Sequence, residues 1–307
     1  MKRTILSILD LTSEEISTII SNAIRLKDER QKGIPHRHLE GRTLGMIFEK
    51  SSTRTRISFE VGMYELGGYA IYLNPKDMQL DRGEAVADTA RVLSRYLSSV
   101  MIRAHTHTSI EAFSAASTIP VINGLSDKEH PCQILADLMT LKERFGSLSG
   151  LRVAWIGDGN NVCNSLILST IRTGMKVSVS VPKGYEPDAE CILRAEEEGS
   201  VTFYDTPKEA VAGADAVYTD TWISMGQEDE MDERLVAFAD FRLDGPLLKH
   251  ASDDAVVLHC LPAHRGSEIT DEVLDGPQSA VWDQAENRLH AQKALLLLIF
   301  GADKKIN

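Results

Sequence analysis

Short apolar runs alternate with helical stripes along the chain, and this alternation limits its fold more than any other feature. The runs are Leu44–Phe48, Ala70–Leu73, Val100–Ile102 and Pro120–Ile122, then Leu151–Ile156, Val177–Val181, Val201–Tyr204, Ala216–Asp220 and Val256–His259. Apolar runs this short, bounded by turn residues, read as buried strands. Between them lie apolar residues at helical spacing: Ile57, Val61 and Tyr64; Val86, Ala90, Leu93 and Leu97; Ile134, Leu138, Leu141 and Phe145. Earlier still, Thr12-Ser13-Glu14-Glu15 has the form of a capping box ahead of Ile16, Ile19, Ile20 and Ala23. Strands separated by helices imply parallel sheets, and hence an α/β fold. Gly146-Ser147-Leu148-Ser149-Gly150 is the clearest break. It divides the chain into domains of 1–146 and 147–284, with a last helix from about Ala285. A length of 307 residues supplies two cores with room to spare.

Charge narrows the partners. A net charge of −12 opposes nucleic acid and anionic membrane surfaces. An anionic ligand therefore needs a local basic pocket. The four cysteines, Cys132, Cys163, Cys191 and Cys260, are widely spaced and form neither a disulfide framework nor a zinc motif. They fit a reducing, cytoplasmic location. Met1-Lys2-Arg3-Thr4 opens no long apolar run, so no signal peptide is expected. Ala294–Phe300 is too short to span a bilayer.

Several predicted strand ends carry polar groups. Ser51-Ser52-Thr53-Arg54-Thr55-Arg56 falls where a strand turns into a helix. Its hydroxyls suit an N-cap, the exposed N–H groups make an anion site, and arginine forks match phosphate oxygens. Taken alone, such a run is more often a cap with two solvated arginines. Arg103 and the pair His130 and Gln133 follow other strands, and Pro131 suits a first helical position. Ligands of open parallel sheets bind beyond the carboxyl ends of strands, where such groups converge. Gly157-Asp158-Gly159 lacks the third small residue of a dinucleotide fingerprint, since position 162 is Val162. It reads as a tight turn, with Asn160 or Asn161 capping the next helix or facing a ligand. Asp220-Thr221-Trp222-Ile223-Ser224-Met225-Gly226 could hold a cationic group at Asp220, or be a loop around a buried tryptophan. His259-Cys260-Leu261-Pro262 shows too few ligands for a metal site and no third group to orient a Cys-His nucleophile. Leu261-Pro262 is a candidate cis peptide.

Together these motifs resemble the aspartate/ornithine carbamoyltransferase family, on its ornithine-using side. Ser52 to Arg56, His130 to Gln133, Asp220 to Gly226, His259 to Pro262 and Glu286 to Arg288 occur in that family's order. The resemblance implies two doubly wound parallel-sheet domains. Residues 1–146 would bind carbamoyl phosphate, with the C-terminal helix, 285–307, packing back on them. Residues 147–284 would bind ornithine. It further implies that Ser52, Thr53, Arg54 and Thr55 hold the phosphate, with Arg103, His130 and Gln133 near the carbamoyl group and Arg288 approaching the anion. Asn161, Asp220, Ser224 and Met225 would hold ornithine. Cys260 would sit beside the substrate amine, and the Cys260-Leu261 backbone beside the carbamoyl NH2. Arg103, His130 and Cys260 are the expected catalytic groups. The implied reaction makes citrulline and phosphate without a metal or organic cofactor. The resemblance also implies a homotrimer, or a multiple of trimers. The loop Asn74–Gly83 would then reach the neighbouring subunit's site and bring Gln79 to carbamoyl phosphate.

Other acceptors stay open: putrescine, an acylated ornithine, or aspartate. Aspartate-using relatives usually carry a lysine where Gln79 stands, although Lys76 lies close by. A catalytically silent phosphate-binding regulatory subunit is the non-enzyme alternative, and the intact motifs oppose it.

Overall fold

The computed structural model describes residues 2–79, 83–197, 200–223 and 228–303. Two compact units form, Met1–Met139 with Glu286–Asn307, and Thr140–Ala285. The first unit runs α1 (Ser13–Gln31), β1 (Thr43–Phe48), α2 (Thr53–Glu65), β2 (Tyr69–Leu73), α3 (Val86–Tyr96), β3 (Ser99–Arg103), α4 (His107–Ala116), β4 (Val121–Leu125) and the start of α5 (Pro131–Phe145). The second continues with β5 (Arg152–Ile156), α6 (Asn161–Thr173), β6 (Lys176–Ser180), α7 (Ala189–Glu197), β7 (Val201–Phe203), α8 (Pro207–Val211) and β8 (Ala216–Thr219). It ends with α9 (Met231–Ala237), α10 (Gly245–Leu248), β9 (Val256–His259), α11 (Asp271–Leu274) and the first turn of α12 (Val281–Ile299). The units thus divide inside α5 and α12, while Gly146–Gly150 follows the end of α5.

Both sheets are wholly parallel, in the orders β2-β1-β3-β4 and β7-β6-β5-β8-β9. Chain direction across each sheet reverses beside its first strand, between β1 and β3 and between β5 and β8. Loops part at such a point and leave a crevice at the carboxyl ends. Register makes this concrete. Phe48 pairs with Arg103, Ile156 with Thr219, and Thr219 with His259. The loops that follow β1 and β3 therefore leave side by side, as do those after β5, β8 and β9. Apolar side chains between sheet and helices hold these ends in place. Ile47, Val100, Ile102, Ile110 and Phe113 do so in one unit, and Ile156, Val217, Val257 and Val273 in the other.

Several expectations hold in detail. Thr12 and Glu15 form a capping box, Pro131 starts α5, and Leu261-Pro262 is cis. Three differ. The buried face of α2 is Thr55, Phe59, Gly62 and Met63, whereas Ile57 is 50% and Tyr64 77% exposed. Both stripes have helical spacing, and Phe59 and Met63 face the core. The last helix starts at Val281, and its buried Gln284 accepts from the His259 N–H and donates to the Tyr218 hydroxyl. Helix α4, unassigned from sequence, is capped by Thr106 and buries Ile110 and Phe113.

The part of α12 in the first unit carries an unusual buried polar set. Lys293, fully buried, donates to Glu65 Oε2 at 2.6 Å and to His36 Nε2 at 3.0 Å. Lysine has no acceptor, so His36 Nε2 accepts and its Nδ1–H faces the Ile34 carbonyl at 3.1 Å. His290, one turn before, is also fully buried, and neither ring nitrogen has a hydrogen-bond partner among the described residues. Burial, with the charges of Lys293, Lys27 and Arg30, lowers its pKa to about 3. The unfolded chain takes up that proton near pH ~6.5 and the folded chain does not, so stability falls as pH drops below that value. The slope from one such group reaches about 1.4 kcal/mol per pH unit. His290→Leu is expected to flatten it. Urea midpoints at pH 7 and pH 5 should lie closer together than in wild type, and an unchanged difference counts against this role for His290.

Candidate active site

The first cluster sits on the first unit's crevice. Ser52 caps α2, its Oγ accepting from the Thr55 N–H at 3.3 Å, so Thr53, Arg54 and Thr55 occupy the first turn. The open N–H groups and positive dipole end there favour an anion. Arg103 ends β3 and is 7% exposed, held by backbone pairing on both sides of its strand. His130, just before α5, is 4% exposed. Burial pushes its pKa well below the usual imidazole value, and the charges of Arg288, Arg103 and Arg54 push the same way. Three guanidiniums thus act on one imidazole that is neutral at pH 7. Arg103 and Arg288 are buried and Arg54 half-buried, and positive charge gathered in this way favours an anion.

Further hydrogen bonds tie this cluster together. Arg288 donates to Gln133 Oε1 at 2.6 Å and to Thr55 Oγ1 at 3.1 Å. Gln133 Nε2 donates in turn to Asp137 Oδ1 at 2.8 Å. Thr55, Gln133 and Arg288 are thus joined by hydrogen bonds, while Ser52, Thr53 and Arg54 share the start of α2, Arg103 ends β3 and His130 precedes α5. Gln79 is exposed in the loop after β2, and its side chain makes no hydrogen bond to the cluster among the described residues.

A second cluster occupies the crevice of the other unit. Asp220 follows β8 and is 5% exposed. Its Oδ2 accepts from Asn160 Nδ2 at 2.8 Å; its Oδ1 accepts from the Thr221 N–H at 2.8 Å and the Cys260 thiol at 2.9 Å. Asn160, not Asn161, caps α6, its Oδ1 accepting from Val162 and Cys163. Asn161 is the first helical residue and half-buried. Ser224 and Met225 lie outside the described residues. Gly159 is required: a Cβ there would fall 2.4 Å from Pro187 N. Asp158, beside it, has its pKa raised to about 6 by burial, against the pull of Arg234, whose guanidinium is 3.3 Å away.

The turn after β9 is fixed by a group that sequence reasoning missed. His259 Nδ1 accepts from the Leu261 N–H at 2.9 Å, which leaves the proton on Nε2 to be donated to Glu268 Oε1 at 3.1 Å. The same Glu268 oxygen accepts from the His264 N–H at 2.5 Å. Leu261 has φ 58°, a left-handed conformation that costs a non-glycine residue about 1–2 kcal/mol. Glu268 and His259, both buried, clamp the two ends of that turn. Asp220, His259 and Cys260 each bring one possible metal ligand within 4.8 Å of the others. These donors already bond inside the protein: the thiol to Asp220, and the imidazole to Leu261 and Glu268. His259 thus orients the backbone rather than forming a nucleophile pair with Cys260.

Comparison with known proteins agrees with this division. Residues 3–143 match the carbamoyl-P binding domain of the aspartate/ornithine carbamoyltransferase family, and residues 149–299 its Asp/Orn binding domain. A protein of Methanocorpusculum labreanum named ornithine carbamoyltransferase is 62% identical over 97% of this chain and 98% of its own. The anabolic ornithine carbamoyltransferase of Pyrococcus furiosus is 53% identical, covering 98% of each chain. A solved structure of the Pyrococcus furiosus ornithine carbamoyltransferase superposes with TM-score 0.94 over 97% of both chains. That from Thermus thermophilus gives 0.89 at 44% identity, over 97% of this chain and 99% of that one.

Proposed function

The chain belongs to the aspartate/ornithine carbamoyltransferase family, and from that premise we propose that it transfers the carbamoyl group of carbamoyl phosphate to the side-chain amine of L-ornithine, giving L-citrulline and phosphate. The observation that carries the first half of this reading is the set of three guanidiniums acting on the neutral His130. A dianionic phosphate at the start of α2 would offset that charge, with Ser52, Thr53, Arg54, Thr55 and Arg288 as its ligands. Asp220 carries the second half. A buried carboxylate suits the α-ammonium of ornithine and repels the extra carboxylate of aspartate. Asn161, Ser224 and Met225 complete the ornithine contacts.

The chemistry follows from these groups. The neutral amine attacks the carbamoyl carbon, the C–O bond to phosphate breaks, and phosphate leaves with the amine's proton. Charge develops on the carbonyl oxygen, where Arg103, His130 and Thr55 donate hydrogen bonds. A neutral imidazole donates without titrating away near pH 7. Gln133 steadies Arg288. Cys260 sits beside the attacking amine, and the Cys260-Leu261 backbone receives the carbamoyl NH2. Orientation of the two substrates supplies a large share of the rate.

The test is citrulline formation from carbamoyl phosphate with ornithine, using aspartate, putrescine and acetylornithine as controls. Turnover with ornithine alone is expected, and preference for a control overturns the assignment. Only the neutral amine attacks, and its pKa resembles that of lysine, ~10.4. kcat/KM for ornithine is therefore expected to rise from pH 7 to pH 9. A flat profile, with chemistry rate-limiting, counts against amine attack.

The assembly we infer is a homotrimer or a multiple of it. Exposed apolar residues on the first unit support an interface there: Ile57 and Tyr64 on α2, Tyr69 at 67% on the edge strand β2, and Tyr96 at 74% on α3. A cytoplasmic location is consistent with four free cysteines, three of them buried. No helix among the described residues is long and apolar enough to cross a membrane.

A further inference from the structure

We propose that Gln292 is a positioning residue for carbamoyl phosphate, holding the Arg288 guanidinium and the first turn of α2 in one hydrogen-bonded unit. The proposal rests on the reading of Arg288 as an anion ligand. Arg288 and Gln292 lie one turn apart on α12 and are 3% and 1% exposed. Their surroundings fix the Gln292 amide orientation. With its oxygen toward Arg288, it accepts from Nη2 at 3.0 Å and Nε at 3.3 Å, while its nitrogen donates to Ser58 Oγ at 2.5 Å. The reverse orientation would set oxygen against acceptors and nitrogen against donors.

Ser58 extends the link. Its single hydroxyl proton goes to the Arg54 carbonyl at 2.6 Å, with Thr55 O at 3.2 Å, so toward Gln292 the oxygen is an acceptor. One amide therefore connects the arginine on α12 to the backbone of Arg54 and Thr55, in the first turn of α2. Thr55 closes the loop, because its hydroxyl accepts from the same guanidinium.

The side-chain type matters as much as the place. Gln133, Thr55 and Gln292 are neutral acceptors. They orient the guanidinium without themselves cancelling its charge. A glutamate at 292 would hold the fork as well or better, but as a buried ion pair it would neutralise the charge. An apolar side chain would leave the charge and remove one of the three groups that orient it.

Three variants separate these effects by calorimetric titration with carbamoyl phosphate. Arg288→Ala tests the underlying reading: if affinity is unchanged, Arg288 is no ligand, and the proposal falls with it. Given a loss there, Gln292→Met is expected to weaken binding by roughly tenfold, and Gln292→Glu by more, since charge and not shape is what it removes. The ornithine KM, measured at saturating carbamoyl phosphate, should stay within twofold. The double variant Arg288→Ala, Gln292→Met should bind no worse than Arg288→Ala alone, because Gln292 acts through that guanidinium. Losses that multiply in the double variant, or wild-type affinity in both Gln292 variants, overturn the proposal. If Gln292→Met fails to fold, Gln292→Ala takes its place in the cycle with Arg288→Ala, and the same two outcomes decide it.

Discussion

Asp220→Asn is expected to lower kcat/KM for ornithine by roughly a hundred- to several-thousandfold, the equivalent of the 3–5 kcal/mol lost when one partner of a buried pair is removed. The carboxylate is 5% exposed, so little solvent is present to screen an ammonium brought against it. The substitution also rearranges its neighbours in a definable way. An asparagine oxygen in the Oδ1 position still accepts from Thr221 N–H and the Cys260 thiol. Its amide nitrogen then opposes Asn160 Nδ2, which now donates to Oδ2. Asn160 cannot turn over to relieve this, because its own oxygen caps α6. Some loss of thermal stability should accompany the loss of ornithine use. Carbamoyl phosphate affinity should stay nearly unchanged, since the groups proposed to hold its phosphate belong to the other unit. Steady-state kinetics with ornithine and calorimetry with carbamoyl phosphate check this together. Comparable losses for both substrates mean that Asp220 shapes the fold and does not select the acceptor.

Asp220, Arg103 and Cys260 were legible in the sequence for one physical reason. Each ends or follows an apolar run, and in a parallel sheet every run delivers its last residue to the same edge. Ser52 was legible because a hydroxyl before a helical stripe has few other uses. Glu268 was not. It reaches His259 through a turn with no periodicity, and nothing local marks a carboxylate nine positions on as buried. Gln292 left a partial signal, one helical turn after Arg288, but its second partner, Ser58, lies on another helix far away in the chain. Asn160 and Asn161 were equivalent as letters, and the position of the first helical turn separated them. On α2, spacing alone could not rank Ile57 and Tyr64 against Phe59 and Met63. An exposed stripe obeys the same period as one that faces the core.

That exposed stripe bears on the largest change expected here, recovery of activity by mixing two inactive variants. Gln79 is exposed after the edge strand β2, and among the described residues its side chain makes no hydrogen bond to the arginine cluster of its own chain. If it serves a neighbour's site, Gln79→Ala damages the neighbour and Arg54→Ala damages the subunit that carries it. In a cyclic trimer each site then draws Arg54 from one chain and Gln79 from the next. Equal mixing with random reassembly gives each site one chance in two of an intact Arg54 and one in two of an intact Gln79, so about a quarter of sites carry neither lesion. Activity should rise from the parents' low values to about a quarter of wild type after dissociation and reassembly in an equimolar mixture, in line with that count. It should follow the product of the two fractions as the ratio is varied, with its maximum at equal amounts. Mixing without dissociation should give nothing, which separates subunit exchange from simple addition. Mixed trimers shown by mass to contain both variants, yet no more active than the better parent, would mean that Gln79 acts within its own chain or not at all.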